Sequence, residues 1–308
     1  MNIQKVAEGT YAIDPVIFGI QEFTSVYLLI GDTLALIDSG SPKAAPLILN
    51  GIRALGYRPE DVSWIILSHI HFDHASGAGE LLKFMPQARV YLHYEGYNHI
   101  LDPSRLTASA KRVFGDMIDK WYGGFAPVPK EKAISGNDGE IIDLGSSRKL
   151  KVLATSGHAK HGICLYDATI GGLFTGDEAG VYFPSGPAII PTSPPPDFDP
   201  DHNLKTIKKL QDLKPKMLLF AHYSVTKAVD KTLKIYMDTL ISWKEAVKEG
   251  IQKGFNFDEI VKVLKSHATK TLDCIRDRED LFSWIMSYHI PMCAEGYIYY
   301  LKNKIKSV

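Results

Sequence analysis

Cysteine is scarce in this 308-residue chain: Cys164, Cys274 and Cys293 are the three present, an odd number at wide spacing. That excludes a disulfide framework and a paired CxxC zinc site. Reduced thiols in a cytoplasmic setting are the expectation. Long apolar runs are missing as well. WIIL at 64–67 and MLLF at 217–220 are strand-length, far short of a bilayer span. The opening MNIQKVAEGTYAID carries no apolar signal-peptide core. Net charge is absent too, because 35 basic residues cancel 35 acidic ones. That balance disfavours a partner bound through phosphate neutralisation. Glutamine occurs only five times, a depletion of labile residues that fits a thermostable chain. What is present is a hydrophobic fraction of 45% with 10% aromatics, enough to build a sizeable core and to disfavour disorder. Histidine stands out, with 11 residues unevenly placed.

The first part of the chain alternates strand and helix signals. TSVYLLIG and TLALIDSG (24–40) read as two strands, 43–56 as a helix ending at Gly56, VSWIILSH (62–69) as a buried strand, SGAGELLKF as the start of a helix, and ARVYLH (88–93) as another strand. This rhythm defines a layered α/β domain. Residues 95–124 read as irregular helix. Strand signals return at EIIDLG, LKVLAT, ICLYD and GGLFTGD, between 140 and 177. The segment 181–200 holds seven of the 17 prolines and is expected to be neither helix nor central strand. It reads as a rigid connection kept as a wall of the site. HNLKTIKKLQDL (202–213) is an amphipathic helix and KMLLFAH (216–222) a strand. Beyond Lys227 only helical periodicity remains. The neutral total hides an asymmetry: 16 basic against 23 acidic residues up to Asp201, and 19 against 12 from His202 onward.

The chemistry concentrates in Ser68-His69-Ile70-His71-Phe72-Asp73-His74, after a buried apolar strand. If the segment stays extended, His69, His71 and Asp73 share a face, and a turn brings His74 beside them. Three imidazoles and a carboxylate gathered at a strand end need a cation to offset their crowding, so this is read as a metal site.

The run SHIHFDHASGAGELL (68–82) resembles the metallo-β-lactamase-fold hydrolase superfamily, and three later pieces follow in that family's order. TSGHAKHG (155–162), LFTGDEAG (173–180) and LLFAHYS (218–224) resemble the segments that present a third histidine, a bridging aspartate and a last histidine. Asp38, in IDSG, matches a position that orients the ligand loop. The resemblance implies an α/β four-layer αβ/βα sandwich over 1–226, with a helical C-terminal extension over 227–308. It implies that His69, His71 and His158 hold one metal and Asp73, His74 and His222 the other, with Asp177 bridging both. The set is complete, and its lack of a cysteine ligand makes it similar to glyoxalase II-like and lactonase-like members rather than to β-lactamases with a cysteine ligand. The surroundings Phe72 and Ala75-Ser76-Gly77 resemble the lactonase branch most.

Two divalent cations are thus expected, zinc first, with iron or manganese accepted by the same ligand types. The implied reaction is hydrolysis of an ester-like bond, a thioester or lactone, by a hydroxide held between the metals. Asp73 is the candidate for proton transfer. Tyr223, and less so Tyr182, is a candidate donor to an oxyanion. Other members of the superfamily are mononuclear iron dioxygenases, diiron redox proteins, phosphodiesterases or nucleases, and non-catalytic binding modules. The helical reading after 227 leaves no room for an appended flavin domain. A dioxygenase centre of His69, His158 and Asp177 would leave four ligands unused. A binding module would be expected to lose ligands. The partner expected is a small-molecule substrate, with no membrane and nucleic acid disfavoured; a homodimer is a further expectation. His161 is read as either a support for the ligands or an ordinary turn histidine. His93, His99, His202, His267 and His289 are read as structural or surface residues, and Trp121, Tyr122 and Phe125 as packing or a pocket rim.

Overall fold

The structure, a computed structural model, describes residues 2–145, 148–186 and 188–306. Seven strands form one sheet in chain order: Ile3–Ala7, Thr10–Ile13, Val26–Ile30, Leu34–Ile37, Val62–Ile66, Arg89–His93 and Ala133–Gly136. The first four pair antiparallel and the last four run parallel. The second sheet has six strands in the order Val225–Thr226, Met217–Leu219, Gly172–Phe174, Gly162–Asp167, Lys149–Thr155 and Ile141–Asp143.

Alternation along the strands explains the layers, because successive side chains face opposite ways. Tyr27, Leu29, Ala35, Ile37 and Ile66 meet Leu150, Val152, Ile163, Leu165 and Leu219 between the sheets. Their neighbours Leu28, Leu36 and Ile65 face outward onto Ile48 and Ile52 of the helix Ala45–Ala54. On the far side, Cys164, Leu173 and Leu218 pack under Ile207, Leu210, Leu233 and Tyr236. The result is helix, sheet, sheet, helix, as the resemblance implies. The C-terminal helices Val229–Gln252, Phe257–Thr271, Glu279–Trp284 and Ile290–Lys306 continue the last layer. Leu233, Tyr236, Leu240, Trp243 and Val247 recur at three- and four-residue steps and are all buried, so one stripe of the long helix seals the sheet. Among the described residues, no helix is long and apolar enough to cross a membrane.

Three expectations are corrected. The buried strand stops at Ile66, not at residue 69, and Phe72–Ala75 is a helical turn. Asp73 therefore does not share an extended face with His69 and His71. The N–H of Ala75 donates to the carbonyl of His71, which starts the turn there. The proline-rich segment is no simple connection. Val181–Phe183 and Ala188–Ile190 form a separate two-stranded hairpin, with Val181, Phe183, Ile189 and Ile190 buried beneath the C-terminal helices. The strands Ile3–Ala7, Thr10–Ile13 and Ala133–Gly136 had no counterpart in the sequence reading. They are short, and the two at the N-terminus form a hairpin with one register shift, which blurs the period-2 pattern.

Candidate metal centre

The strands deliver all the candidate ligands to one end of the sandwich. His69 lies just after Ile66, His158 after Thr155, Asp177 after Phe174 and His222 after Leu219, each beyond the C-terminal end of its strand. Asp73 and His74 come from the helical turn between. The donor atoms converge in three groups, His69–His71–His158, His69–His74–Asp177 and Asp73–His74–His222, each with all atoms within 4.8 Å of one another. All seven metal ligands implied by the resemblance are in these groups.

Asp177 sits at the centre. Its Oδ2 lies 3.3 Å from His222 Nε2, 3.6 Å from His158 Nε2 and 3.9 Å from His69 Nε2, while its Oδ1 lies 3.5 Å from His74 Nε2. Asp73 Oδ2 is 3.2 Å from His74 Nε2 and 3.7 Å from His222 Nε2. Asp177 thus faces histidines of both outer groups, His69–His71–His158 and Asp73–His74–His222, and Asp73 only those of the second.

The imidazoles are held from behind. His158 Nδ1 donates to the Thr192 carbonyl at 2.8 Å and His222 Nδ1 to the Phe23 carbonyl at 3.3 Å. His74 Nδ1 donates to Asp38 Oδ2 at 3.1 Å. The Ser68 hydroxyl donates to Asp38 and accepts from His69 Nδ1 at 3.0 Å. A carbonyl or carboxylate can only accept, so the proton sits on Nδ1, and Nε2 of His69, His158 and His222 presents a lone pair inward. Burial opposes protonation of His74, but Asp73, Asp177 and Asp38 raise it well above its ordinary value, so it would shed its Nε2 proton to take a cation. His71 turns the other way, with its Nδ1 3.0 Å from His158 Nε2.

This arrangement fits a cation. His69 Nε2, His74 Nε2 and Asp177 Oδ1 are buried without a hydrogen-bond partner, although such atoms are ordinarily satisfied. They point at the same space. Burial, reinforced by neighbouring imidazoles, pulls His69 well below its ordinary value and His71 down to about 3, so both stay neutral as metal ligands must. Burial opposes ionisation of Asp73 and Asp177, yet facing imidazoles override it and draw Asp73 down to about 2. Only Asp73 of the two aspartates reaches solvent appreciably, with 16% of its side chain exposed against 3% for Asp177.

Asp38, matched by the resemblance, anchors the frame, and Glu178, Gly157 and Thr192, which the motif reading did not single out, complete it. Ser68 N donates to Asp38 Oδ1 at 2.7 Å. Asp38 itself is held at φ 63, in the left-handed region, where Asn and Asp are the non-glycine residues best tolerated. Glu178 accepts from His158 N at 3.1 Å, and burial pushes its carboxyl up to about 7. Gly157 leaves no room for a side chain, since a Cβ would sit 2.3 Å from Asn203 Cα. The signal for Glu178 was its place directly after Asp177. Thr192 lies in the proline-rich segment and carried no signal at all.

His161 proves to be a support: it is buried, and its Nδ1 accepts from Ile70 N at 3.3 Å inside the ligand loop. Tyr223 is buried beside His222, with its hydroxyl accepting from Asn2 Nδ2 at 3.0 Å. Burial, with Glu22 and Asp14 nearby, pushes that hydroxyl up to about 12. Tyr182 stacks on Phe220. Trp121 and Tyr122 join an aromatic wall. Phe23 lies 4.8 Å from the His222 ring, Trp284 4.6 Å from Phe23, Phe18 4.7 Å from Trp284, and Tyr122 5.3 Å from Phe18. Phe125 packs on Phe72 of the ligand turn. Packing and site wall are here the same residues.

Two facing sheets with histidines and aspartates gathered at one end define a metallo-β-lactamase fold, and the family comparison agrees: the metallo-beta-lactamase superfamily profile matches residues 19–222. The chain belongs to that superfamily. Among relatives it is 29% identical over 246 residues to the metallo-beta-lactamase fold-containing protein ST1585 of Sulfurisphaera tokodaii, covering 78% of this chain and 87% of that protein. The crystal structure of ST1585 superposes with a TM-score of 0.60, at 30% identity, over 76% of this chain and 86% of that one. A metallo-beta-lactamase family protein from Thermus thermophilus, TTHA1429, superposes over 97% of this chain and 95% of its own with a TM-score of 0.71. At 20% identity it supports the fold alone. A short stretch of 36 residues is 51% identical to an N-acyl homoserine lactonase of a Bacillus species, covering 12% of this chain and 14% of that protein.

Asp38 offers a direct test of the frame. Asp38→Asn keeps the shape and tolerates the positive φ, but removes the charge behind His74. Metal affinity should fall about ten- to a hundredfold, measured by competition with a chelator. An unchanged affinity would show that Asp38 does not tune the centre.

Proposed function

We propose that the chain is a hydrolase with two divalent cations, acting on an ester-like bond, a thioester or lactone. One observation carries this reading: Asp177 faces the imidazoles of both groups, with buried donor atoms left unpaired among them. His69, His71 and His158 would hold one cation and Asp73, His74 and His222 the other, with Asp177 shared. Such cations, zinc by preference, lower the pKa of water towards 7 and polarise a carbonyl oxygen. The protein's own work is to orient. Asp38, Ser68, Thr192 and Phe23 fix the imidazole tautomers, and the buried surroundings exclude water. Asp73, the more exposed of the two aspartates, is placed to take a proton and hand it to the leaving group.

The ester-like class is supported by the walls. Phe18, Phe23, Tyr122 and Trp284 give the site an apolar flank, suited to an acyl chain or ring. The charges acting most strongly on the donors are their own imidazoles and carboxylates, and among the described residues no Lys or Arg is a leading influence on them. The short lactonase match is in keeping with this choice. The assignment of residues 1–226 as the catalytic unit and 227–308 as its extension is part of the same proposal. The test is metal analysis with a panel of thioesters, lactones, phosphodiesters and β-lactams. Metal-dependent turnover of a thioester or lactone is expected. Tightly bound iron with oxygen consumption, and no hydrolysis, would replace the proposal with a dioxygenase.

Tyr223 is the second catalytic assignment within this proposal. Serving an oxyanion requires its hydroxyl to exchange Asn2 for substrate. Tyr223→Phe is then expected to lower kcat about a hundredfold with KM little changed. An unaltered kcat removes Tyr223 from the mechanism.

A further inference from the structure

Besides Trp284 in the aromatic wall, the C-terminal helices reach the candidate metal centre through a strip of backbone. Pro191 and Thr192 follow the buried hairpin strand Ala188–Ile190. In extended chain, successive carbonyls face opposite ways, and here they do different work. The Thr192 carbonyl accepts from His158 Nδ1 at 2.8 Å. The Pro191 carbonyl faces the helices and accepts twice, from His289 Nε2 at 2.8 Å and from Cys293 Sγ at 3.4 Å.

His289 and Cys293 are one helical turn apart, 2% and 0% exposed. Gly296 completes the face. A Cβ there would lie 1.8 Å from the Ser193 carbonyl oxygen, so the helix backbone rests directly on the strip. Immediately before this helix, Ile285–His289 forms a single π-helical turn, an irregularity that is rare and concentrated at functional sites. A buried imidazole donating to a backbone carbonyl is an ordinary structural bond taken alone. What distinguishes this one is that the next carbonyl along the chain fixes the tautomer of a candidate metal ligand.

We infer that His289 is a positioning residue for the metal centre: through Pro191 it sets the Thr192 carbonyl that orients His158. Resting on the two-cation reading above, the inference makes the helical extension part of the site rather than an appendage. The cost of losing such a support is ten- to a hundredfold in metal affinity, confined to the cation that His158 holds.

The experiment uses the full chain and Co2+ as the probe. Both dissociation constants are measured against a competing chelator, together with the visible Co2+ spectrum, and folding is checked by circular dichroism. In His289→Leu, one dissociation constant should rise about tenfold or more with a changed absorption band, and the other should hold. His289→Gln places an N–H donor at comparable reach and should restore both constants and the band, which loss of packing alone would not predict. A folded Leu variant with parental constants and spectrum would overturn the inference. If His289→Leu does not fold, Gly296→Ala decides in the same way. It pushes the strip away from the helix and should weaken the same single cation; unchanged binding overturns the inference. A parent chain that binds no Co2+ instead brings down the two-cation reading, and this inference with it.

Discussion

Asp177→Ala is expected to lower hydrolysis by more than about a hundredfold and to weaken at least one cation. Residues that merely support metal ligands cost ten- to a hundredfold when removed, and Asp177 stands in the centre of the cluster. It is 3.3 Å from His222 Nε2, 3.5 Å from His74 Nε2 and 3.6 Å from His158 Nε2. Removing it leaves histidines of both groups without the carboxylate they share. Asp177→Asn keeps the volume but not the charge, and should share most of the loss, which separates electrostatics from packing. The measurements are turnover on the substrate found in the panel and metal content after dialysis. Unchanged turnover in either variant contradicts the shared role of Asp177.

The largest expected effect on stability lies elsewhere. Arg148→Leu should destabilise the fold by about 3–5 kcal/mol, the usual cost of breaking a buried ion pair from one side. Arg148 and Asp167 are 2% and 0% exposed, with Arg148 Nε donating to Asp167 Oδ2 at 2.8 Å. The same guanidinium donates to Thr10 Oγ1 at 2.6 Å and to the Ile30 carbonyl at 3.1 Å. It therefore ties the strands of one sheet to Asp167 of the other. The leucine variant strands a buried carboxylate. Arg148→Leu combined with Asp167→Leu removes both charges and should recover much of the loss, since well-packed apolar pairs can replace buried ion pairs. Urea unfolding checks both, and a single-variant loss below about 1 kcal/mol would contradict this role.

The sequence carried the metal centre unevenly. His69, His71, Asp73 and His74 were legible because ligand-type residues crowd into six positions after an apolar strand. His158, Asp177 and His222 are distant in sequence and became visible only by resemblance to a family pattern. The strand-end geometry that unites them is long-range sheet pairing, which no local period encodes. The same limit hid the outer parts of the frame. Thr192 acts through its backbone carbonyl, so its side-chain identity says nothing. His289 looked like an isolated histidine on a helix, and its partner lies 98 positions away. The extended reading of 69–73 failed because a four-residue helical turn is too short to show helical periodicity. The helical extension was legible because its buried stripe, Leu233 through Val247, repeats at helical spacing.

Metal stoichiometry is the most direct test of the centre. The purified chain, dialysed at neutral pH against metal-free buffer and then titrated with Zn2+, should retain two divalent cations per chain by elemental analysis. Asp177→Ala should retain one or none. A parent chain that retains no cation, or that saturates at one, would contradict a centre in which Asp177 is shared between two.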